Sequence, residues 1–375
     1  MNAHRRSPSN RKDDKSNGNP RPLIGITMGD PAGVGAEVVV KALADPEIRR
    51  AGRFIIYGLH EALEYAADLA EINPYWFRLP HDLVGKIESG VVVADFDEFN
   101  IFSPTIRTPT TQGGEASMRF LNSAIKSAKD GFVEAIVTGP ICKESWRMAG
   151  YKFPGHTEKL AHAFHASRVT MMFVAERLRV GLASIHLPLF ELRNKFTIGL
   201  VFQPIDLMGV ALKRWFGIEN PRIAVCGLNP HASENGMFGD EERRIIEPAI
   251  TMAQEQGLDV RGPLPADTVF WHAIHGQYDG VVAMYHDQGL IPVKLLAFDS
   301  ACQTTLGLPI IRTSVDHGTA FDIVGQSIAN PASMKSAIQL ACQLGLRNRE
   351  HPAFAEEIVN EEAEEPLSTS GGEND

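Results

Sequence analysis

From Leu23 onward the chain alternates short apolar runs with amphipathic stretches, and this alternation limits the architectures open to it more than any other feature. Leu23–Thr27, Phe54–Tyr57, Val91–Ala94, Ala135–Thr138, Val169–Val174, Val180–Ile185, Arg222–Cys226, Gly280–Ala283 and Ile310–Thr313 read as buried strands. Between them the helical period recurs, at Ala36–Ala44, Glu61–Leu69, Glu115–Lys129, Glu241–Gln256 and Ser333–Leu344. In Glu115–Lys129 the apolar residues Met118, Leu121 and Ile125 return at intervals of three and four. Strand–helix alternation of this kind predicts an α/β fold with a largely parallel sheet. A chain of 375 residues is two to three times the usual domain size, so two domains are expected. No internal repeat and no Gly/Ser linker marks a boundary between them.

Charge and cysteine placement narrow the class. The formal net charge is -10, with six Lys/Arg against two Asp/Glu in residues 1–22, and eight Asp/Glu with no Lys/Arg in residues 351–375. Between these ends the balance is still acidic, which argues against nucleic acid as a partner, because neutralising phosphates needs a basic surface. The Ser/Asn/Pro-rich head (1–21) reads as a disordered arm and the acidic stretch (351–375) as a frayed tail. No run approaches the roughly 18 apolar residues of a membrane span, and the N-terminus lacks the apolar segment of a secretory signal. Cys142, Cys226, Cys302 and Cys342 lie far apart, which fits neither a disulfide scaffold nor a cysteine zinc site. A cytoplasmic protein is expected.

The unusual residues cluster after the predicted strands, where open α/β sheets bind ligands. Met28–Glu37 (MGDPAGVGAE) follows a strand and opens a helix, but it has neither a G-x-G-x-x-G nor a Walker spacing, so a structural turn and a ligand loop both stay open. His186, His231 and His286 each follow a strand, and three imidazoles on one face would suit a divalent metal with positions left for substrate. Each could equally be a core or cap residue. Gly155–Glu158 (GHTE) sits at a helix start, where backbone amides favour an anion, although Thr157 alone could be a cap. Asp267 reads as a turn residue or a carboxylate for proton transfer. Asp287, beside His286, reads as a partner to a metal ligand or a general acid/base. Lys294 and Arg312 look like cations near apolar strand ends, suited to an anionic substrate. Arg312–Gly325 is too polar for a core strand and too apolar for a plain loop, which favours a binding loop.

Together these segments resemble the 4-hydroxythreonine-4-phosphate dehydrogenase family of vitamin B6 synthesis. The resemblance covers nearly all of residues 22–346 and is anchored by GITMGDPAGVGAE, VTGPICKE, FPGHTE, HLPL, CGLNPHASENGMFGDEE, GPLPADT, MYHDQGLIPVK and TLGLPIIRTSVDHGTAFDIVG. It implies a two-domain fold like that of isocitrate and isopropylmalate dehydrogenases, with the active site in a cleft between domains. Residues 22–145 and 300–350 would form the first domain and 146–299 the second, carrying the metal. It also implies an NAD- or NADP-linked oxidative decarboxylation assisted by one divalent ion (zinc, cobalt or magnesium), and a homodimer whose active site both subunits share. By the same resemblance His186, His231 and His286 would bind the metal. His156, Thr157, Lys294, Gln303 and Arg312 would hold the anionic substrate, with Asp267, Asp287 and Lys294 as the catalytic candidates. His317, Gly318, Thr319 and Asp322 would line the cofactor, in a loop similar to the His-Gly-Ser-Ala-Pro-Asp-Ile-Ala-Gly loop of the relatives. The family usually places Asn where this chain has Gln303, and the extra methylene bears on which substrate fits. Dehydrogenases of D-threonate or D-erythronate 4-phosphate, and cis-dihydrodiol dehydrogenases of aromatic acids, are the alternatives within the frame. A non-catalytic binding protein on the same fold is the alternative from another class.

Overall fold

The computed structural model describes residues 21–85, 87–99, 103 and 105–350. The basic head up to residue 20 and the acidic tail from residue 351 lie outside the described residues. Twelve strands build one sheet: β1 (Leu23–Thr27), β2 (Arg53–Gly58), β3 (Phe77–Pro80), β4 (Val91–Asp95), β5 (Ala135–Thr138), β6 (Thr170–Ala175), β7 (Leu178–Leu182), β8 (Arg222–Cys226), β9 (Asp259–Leu264), β10 (Gly280–Ala283), β11 (Cys302–Leu306) and β12 (Ile311–Ser314). Their spatial order is β3-β4-β2-β1-β5-β12-β11-β6-β7-β10-β8-β9. From β3 to β12 all neighbours are parallel, and β7, β10, β8 and β9 are parallel again. At the join, β12–β11, β11–β6 and β6–β7 are antiparallel, so strand direction reverses between the halves. The α/β expectation with a largely parallel sheet holds, the antiparallel pairings being confined to the join.

Continuous burial explains the first half. Strands β1, β2, β4 and β5 are buried at every position, as parallel strands covered by helices on both faces must be. The helix Thr111–Lys129 packs on β1, β2 and β5, and the helix Ala332–Glu350 packs on β12 and β5. Three strands escape a reading by apolar pattern, each for a physical reason. All four residues of β3 are exposed at the sheet edge. The other edge strand, β9, contains Gly262 and Pro263, which edges tolerate. In β11, Thr304 and Thr305 are buried polar residues whose hydroxyls have partners across the sheet.

Arg312 lies in the buried strand β12, as the strand reading of Ile310–Thr313 has it; the stretch Arg312–Gly325 thus opens as strand, and its loop begins after Ser314. Lys294 lies within the helix His286–Ala297, and its ammonium pairs with Asp316 just past the end of β12. Among the described residues no single helix is long and apolar enough to cross a membrane.

Candidate active site

Arg312 anchors one end of the site. Its side chain is 2% exposed. Nε and Nη2 both donate to Thr138 Oγ1, at 3.2 and 2.7 Å, and Nη1 donates to Thr305 Oγ1 at 3.0 Å. No carboxylate lies within ion-pair distance of the guanidinium among the described residues. Burial pushes its pKa down to about 10, and only Glu158 counteracts this. A buried cation held by neutral hydroxyls alone has an unmet need for an anion. The strand register explains the arrangement. Gln303 faces Ser314 across β11 and β12, so Gln303, Thr305, Arg312 and Ser314 project from one face of the sheet.

The helix His156–Phe164 begins within the field of this guanidinium. Its N-cap is Gly155, which offers no side-chain cap, so the first-turn amides remain free for a ligand. Thr157 is buried in that turn. The His156 ring stacks edge-on against the buried Trp146, with centroids 5.5 Å apart. Its Nε2 is enclosed and has no hydrogen-bond partner among the described residues. Burial, then Arg312 and Lys143, hold its pKa well below the ordinary 6.5, so the imidazole is neutral at neutral pH.

The second half of the sheet supplies the histidines. Beyond the β7–β10 ladder, Ala183 N–H donates to Ala283 O at 2.8 Å and Ser184 Oγ to Met284 O at 2.8 Å. These bonds carry the chain after β7 alongside the chain after β10, and the rings of His186 and His286 come to 6.1 Å between centroids. Gln288 ties the exits of β8 and β10 together, donating to Gly227 O and accepting from Met284 N–H. Asp287 Oδ1 lies 2.7 Å from His286 Nδ1, which keeps the proton on Nδ1 and leaves Nε2 free as a ligand atom. Burial, followed by Lys143 and His286, lowers the pKa of His186.

His231 is held differently. Its Nδ1 is 3.1 Å from Glu234 Oε2, again leaving Nε2 free. Residues His231–Asn235 all have positive φ, from 45° to 72°, a run that costs L-residues roughly 1–2 kcal/mol each. The buried Glu242 clamps the segment by accepting from the amides of Leu228 and Asn229. Among the described residues no group of three His, Cys, Asp or Glu side chains comes together to hold a metal. One chain therefore offers the facing pair His186 and His286, and the donor set of a three-histidine site is incomplete within it.

The loop Met28–Glu37 proves to be built on close backbone approaches. Gly29 has φ +89°, and a Cβ there would stand 2.1 Å from Pro140 O; at Gly35 it would stand 1.9 Å from Met28 O. Val34 N–H donates to Thr319 O at 2.9 Å, so this turn braces the loop His317–Gly325. Between them lies a cavity of about 280 Å³ lined by Val34, Val38, Lys294, Phe298, His317 and Ile323, among others. His317 Nε2 is enclosed without a hydrogen-bond partner among the described residues. Its walls combine apolar side chains with Lys294, Asp299, Asp316, Asn330 and Ser333, and with the unsatisfied ring nitrogen they suit a ligand that has both an apolar face and hydrogen-bonding groups. Gly318 faces open space and Asp322 is exposed in a short turn, Phe321–Ile323.

Lys294 opens on this cavity and pairs with Asp316, so its charge is already met. Gln303 Oε1 accepts from Ser314 Oγ at 3.2 Å, while its Nε2 is enclosed and without a partner. Asp267 is exposed in the first turn of the helix Ala266–Ile274 and makes no hydrogen bond or ion pair among the described residues. Thus His156, at the start of its helix, lies within the field of Arg312, and the rings of His186 and His286 approach each other, whereas Lys294 joins the side of the loop His317–Gly325. Sequence reasoning missed Thr138, Lys143 and Glu158 as individual residues. Thr138 and Lys143 lie in or beside VTGPICKE and Glu158 in FPGHTE, and their placement directly after β5 and at a helix start was the available signal.

Comparison with known proteins points to one family. The family described as pyridoxal phosphate biosynthetic protein PdxA matches residues 50–341. A 4-hydroxythreonine-4-phosphate dehydrogenase of Desulforapulum autotrophicum is 44% identical over 322 residues, covering 86% of this chain and 95% of its own length. A D-threonate 4-phosphate dehydrogenase of Cupriavidus necator is 42% identical, covering 87% of this chain and 98% of its own. The crystal structure of a 4-hydroxythreonine-4-phosphate dehydrogenase from Burkholderia phymatum superposes with a TM-score of 0.75 at 42% identity, covering 87% of this chain and 99% of that one. With matches of this length and identity, the chain belongs to the PdxA family.

Proposed function

We propose that this chain is an NAD(P)-dependent dehydrogenase that oxidises and decarboxylates 4-phosphohydroxy-L-threonine or a close 4-phosphorylated hydroxy acid. The buried Arg312, satisfied by two threonine hydroxyls and no carboxylate, carries the reading: it calls for an anion, and the relatives' names supply a phosphorylated one. Arg312, the free amides of Gly155–Thr157 and the Thr157 hydroxyl form the cradle for the phosphate. Neutral His156 offers Nε2 to the substrate without adding charge. His186 and His286 present their rings toward the alcohol end, and Asp287 fixes the tautomer of His286. With Asp287 so engaged, Asp267 is the carboxylate free to accept the hydroxyl proton.

A nicotinamide cofactor in the His317–Gly325 cavity would supply the hydride acceptor. A divalent ion at His186 and His286 would supply charge stabilisation at the alcohol oxygen and at the enolate left after carbon dioxide departs. We place its third ligand, His231, on the partner subunit of a homodimer. In support, Ile291, Leu295 and Phe298 form an exposed apolar stripe, 65%, 88% and 72% exposed, along the helix that starts at His286. The division into residues 22–145 with 300–350, and 146–299, belongs to the same proposal.

Gln303 favours a second reading, D-threonate 4-phosphate as substrate. Its amide nitrogen lacks a partner on the face that carries Arg312, and a relative of that name is nearly as similar as the others. Purified protein with metal and NAD or NADP should form reduced cofactor with one of these phosphorylated acids. Turnover of an aromatic cis-dihydrodiol instead, or of nothing in the panel, would reject the proposal. Gln303→Asn should raise kcat/KM for 4-phosphohydroxythreonine relative to D-threonate 4-phosphate if the second reading holds.

A further inference from the structure

The segment that borders the proposed cofactor cavity is strained, and one helix grips its far end. Beyond β12 the chain runs from Val315 to Pro331 before the helix Ala332–Glu350 begins. Two non-glycine residues on the way lie in the left-handed region, Ala320 at φ +44° and Ser327 at φ +55°. Such residues keep that conformation only where their surroundings impose it. Near the start, Asp316 N–H donates to Ser333 Oγ at 3.1 Å. In the middle, Val34 N–H donates to Thr319 O at 2.9 Å. At the end the segment meets an ion pair on the helix Gly35–Leu43. Lys41 Nζ pairs with Glu37 Oε1 at 2.7 Å, and the two side chains are only 17% and 9% exposed. Lys41 Nζ also donates to Ser327 O at 2.8 Å and to Ala329 O at 3.3 Å, while Glu37 Oε1 accepts from Ala329 N–H at 2.8 Å.

Ala329, gripped at both its N–H and its C=O, lines the cavity of about 280 Å³ together with His317, Ala320 and Ile323. Val34 and Val38, from the start of the gripping helix, line it too. We infer that Glu37 and Lys41 are positioning residues for the cofactor, fixing the return of this segment so that the cavity keeps its shape. They act through the backbone at Ser327 and Ala329. The inference rests on the proposed placement of the nicotinamide cofactor in this cavity. An ion pair suits the work, because removing either group strands the other in a largely buried position. Its bonds to the segment all go to backbone groups, so they hold the path of the chain and not one particular side chain.

Two binding probes on the full chain separate this role from a general structural one. Reduced cofactor (NADH or NADPH, whichever the wild type binds more tightly), read by its fluorescence, reports the cavity. Inorganic phosphate, read by calorimetry, reports the Arg312 end. Lys41→Met should weaken the cofactor at least about tenfold and leave phosphate within about twofold, with Lys41→Arg recovering most of the loss. In turnover the loss should appear mainly in KM for the cofactor, and the amides of residues 317–329 should exchange hydrogen faster. Glu37→Gln, which keeps its size and can still accept from Ala329 N–H, carries the same comparison if Lys41→Met does not fold. Unchanged cofactor affinity, whatever the exchange of the segment, would overturn the inference while the proposed function stands. Equal weakening of both probes, or loss of fold in both variants, would make the pair a support of the whole sheet and also overturn it. Wild-type protein that binds phosphate but neither reduced cofactor would reject the placement of the cofactor, and the inference with it.

Discussion

The two ends of the site are built on opposite plans. At the end proposed to hold the phosphate, the charged group is buried and its hydrogen bonds are fixed by strand register. At the histidine end His231 and His286 are exposed, with side chains 63% and 46% accessible, each steadied by a carboxylate one or three residues further on. A guanidinium can be buried without its anion because Thr138 and Thr305 satisfy its N–H groups in the meantime. Under the proposed function the imidazole Nε2 atoms must stay unsatisfied within the chain in order to meet a metal. The first end is thus complete in isolation, and the second is prepared but open.

The sharpest test of that contrast is to remove a ligand from the open end. His286→Ala should lower metal content and turnover together by at least about a hundredfold, with little loss of fold, because the ring is exposed. Retained metal and activity would remove His286 from the site. A mixing experiment probes the sharing of the end. Inactive His231→Ala and weakened Arg312→Ala proteins, unfolded and refolded together, should show more activity than the two refolded separately, at sites that combine an intact cradle with the partner's His231. No gain over the two refolded separately, with heterodimers present, would place all ligands in one chain.

Arg312→Ala comes next in size. Loss of one charge-assisted contact to a desolvated anion is worth about 2 kcal/mol, roughly thirtyfold in kcat/KM. The deficit should vanish for an analogue without the phosphate. An equal deficit on both substrates would make Arg312 a structural residue of the sheet. Asp287→Asn should act more gently, reducing metal affinity about tenfold by loosening the tautomer of His286. An unchanged metal affinity would return Asp287 to the candidates for proton transfer.

How much of this was legible depended on whether a residue's reason for being there was local. The buried strands of the first half announce themselves because each is apolar at nearly every position. Strand β11 hid because Thr304 and Thr305 are polar for the sake of Arg312, seven or eight residues further on and across a pairing that sequence does not display. The histidines could be recognised from their strand-exit contexts. Which of them meet depends on the bonds beyond β7 and β10 and on the left-handed run after His231, and no periodicity encodes either. Lys294 was drawn toward the anion by its charge, but its partner Asp316 sits on the cofactor loop.

The smallest expected effect lies in the pH dependence of folding, and it distinguishes the closed end from the open one. His156 has its pKa held well below 6.5 by burial first and by the fields of Arg312 and Lys143 second. Below pH 6.5 the unfolded chain takes up a proton at this position and the folded chain does not. Acidification through that window therefore favours unfolding, and the loss continues until the folded value is reached. One such group costs at most about 1.4 kcal/mol per pH unit. His186 is shifted in the same direction and adds to the slope. Asp30 is shifted upward by burial, so its contribution runs the other way and belongs to the carboxylate range at lower pH. Thermal melts between pH 7.5 and 5.5 should show stability falling as pH falls. His156→Gln should flatten the slope. Removing the Lys143 charge should flatten it only in part, because burial is the larger cause. If His156→Gln and wild type lose stability in parallel, the imidazole is reaching water in the folded chain, and the phosphate end is less closed than its contacts imply.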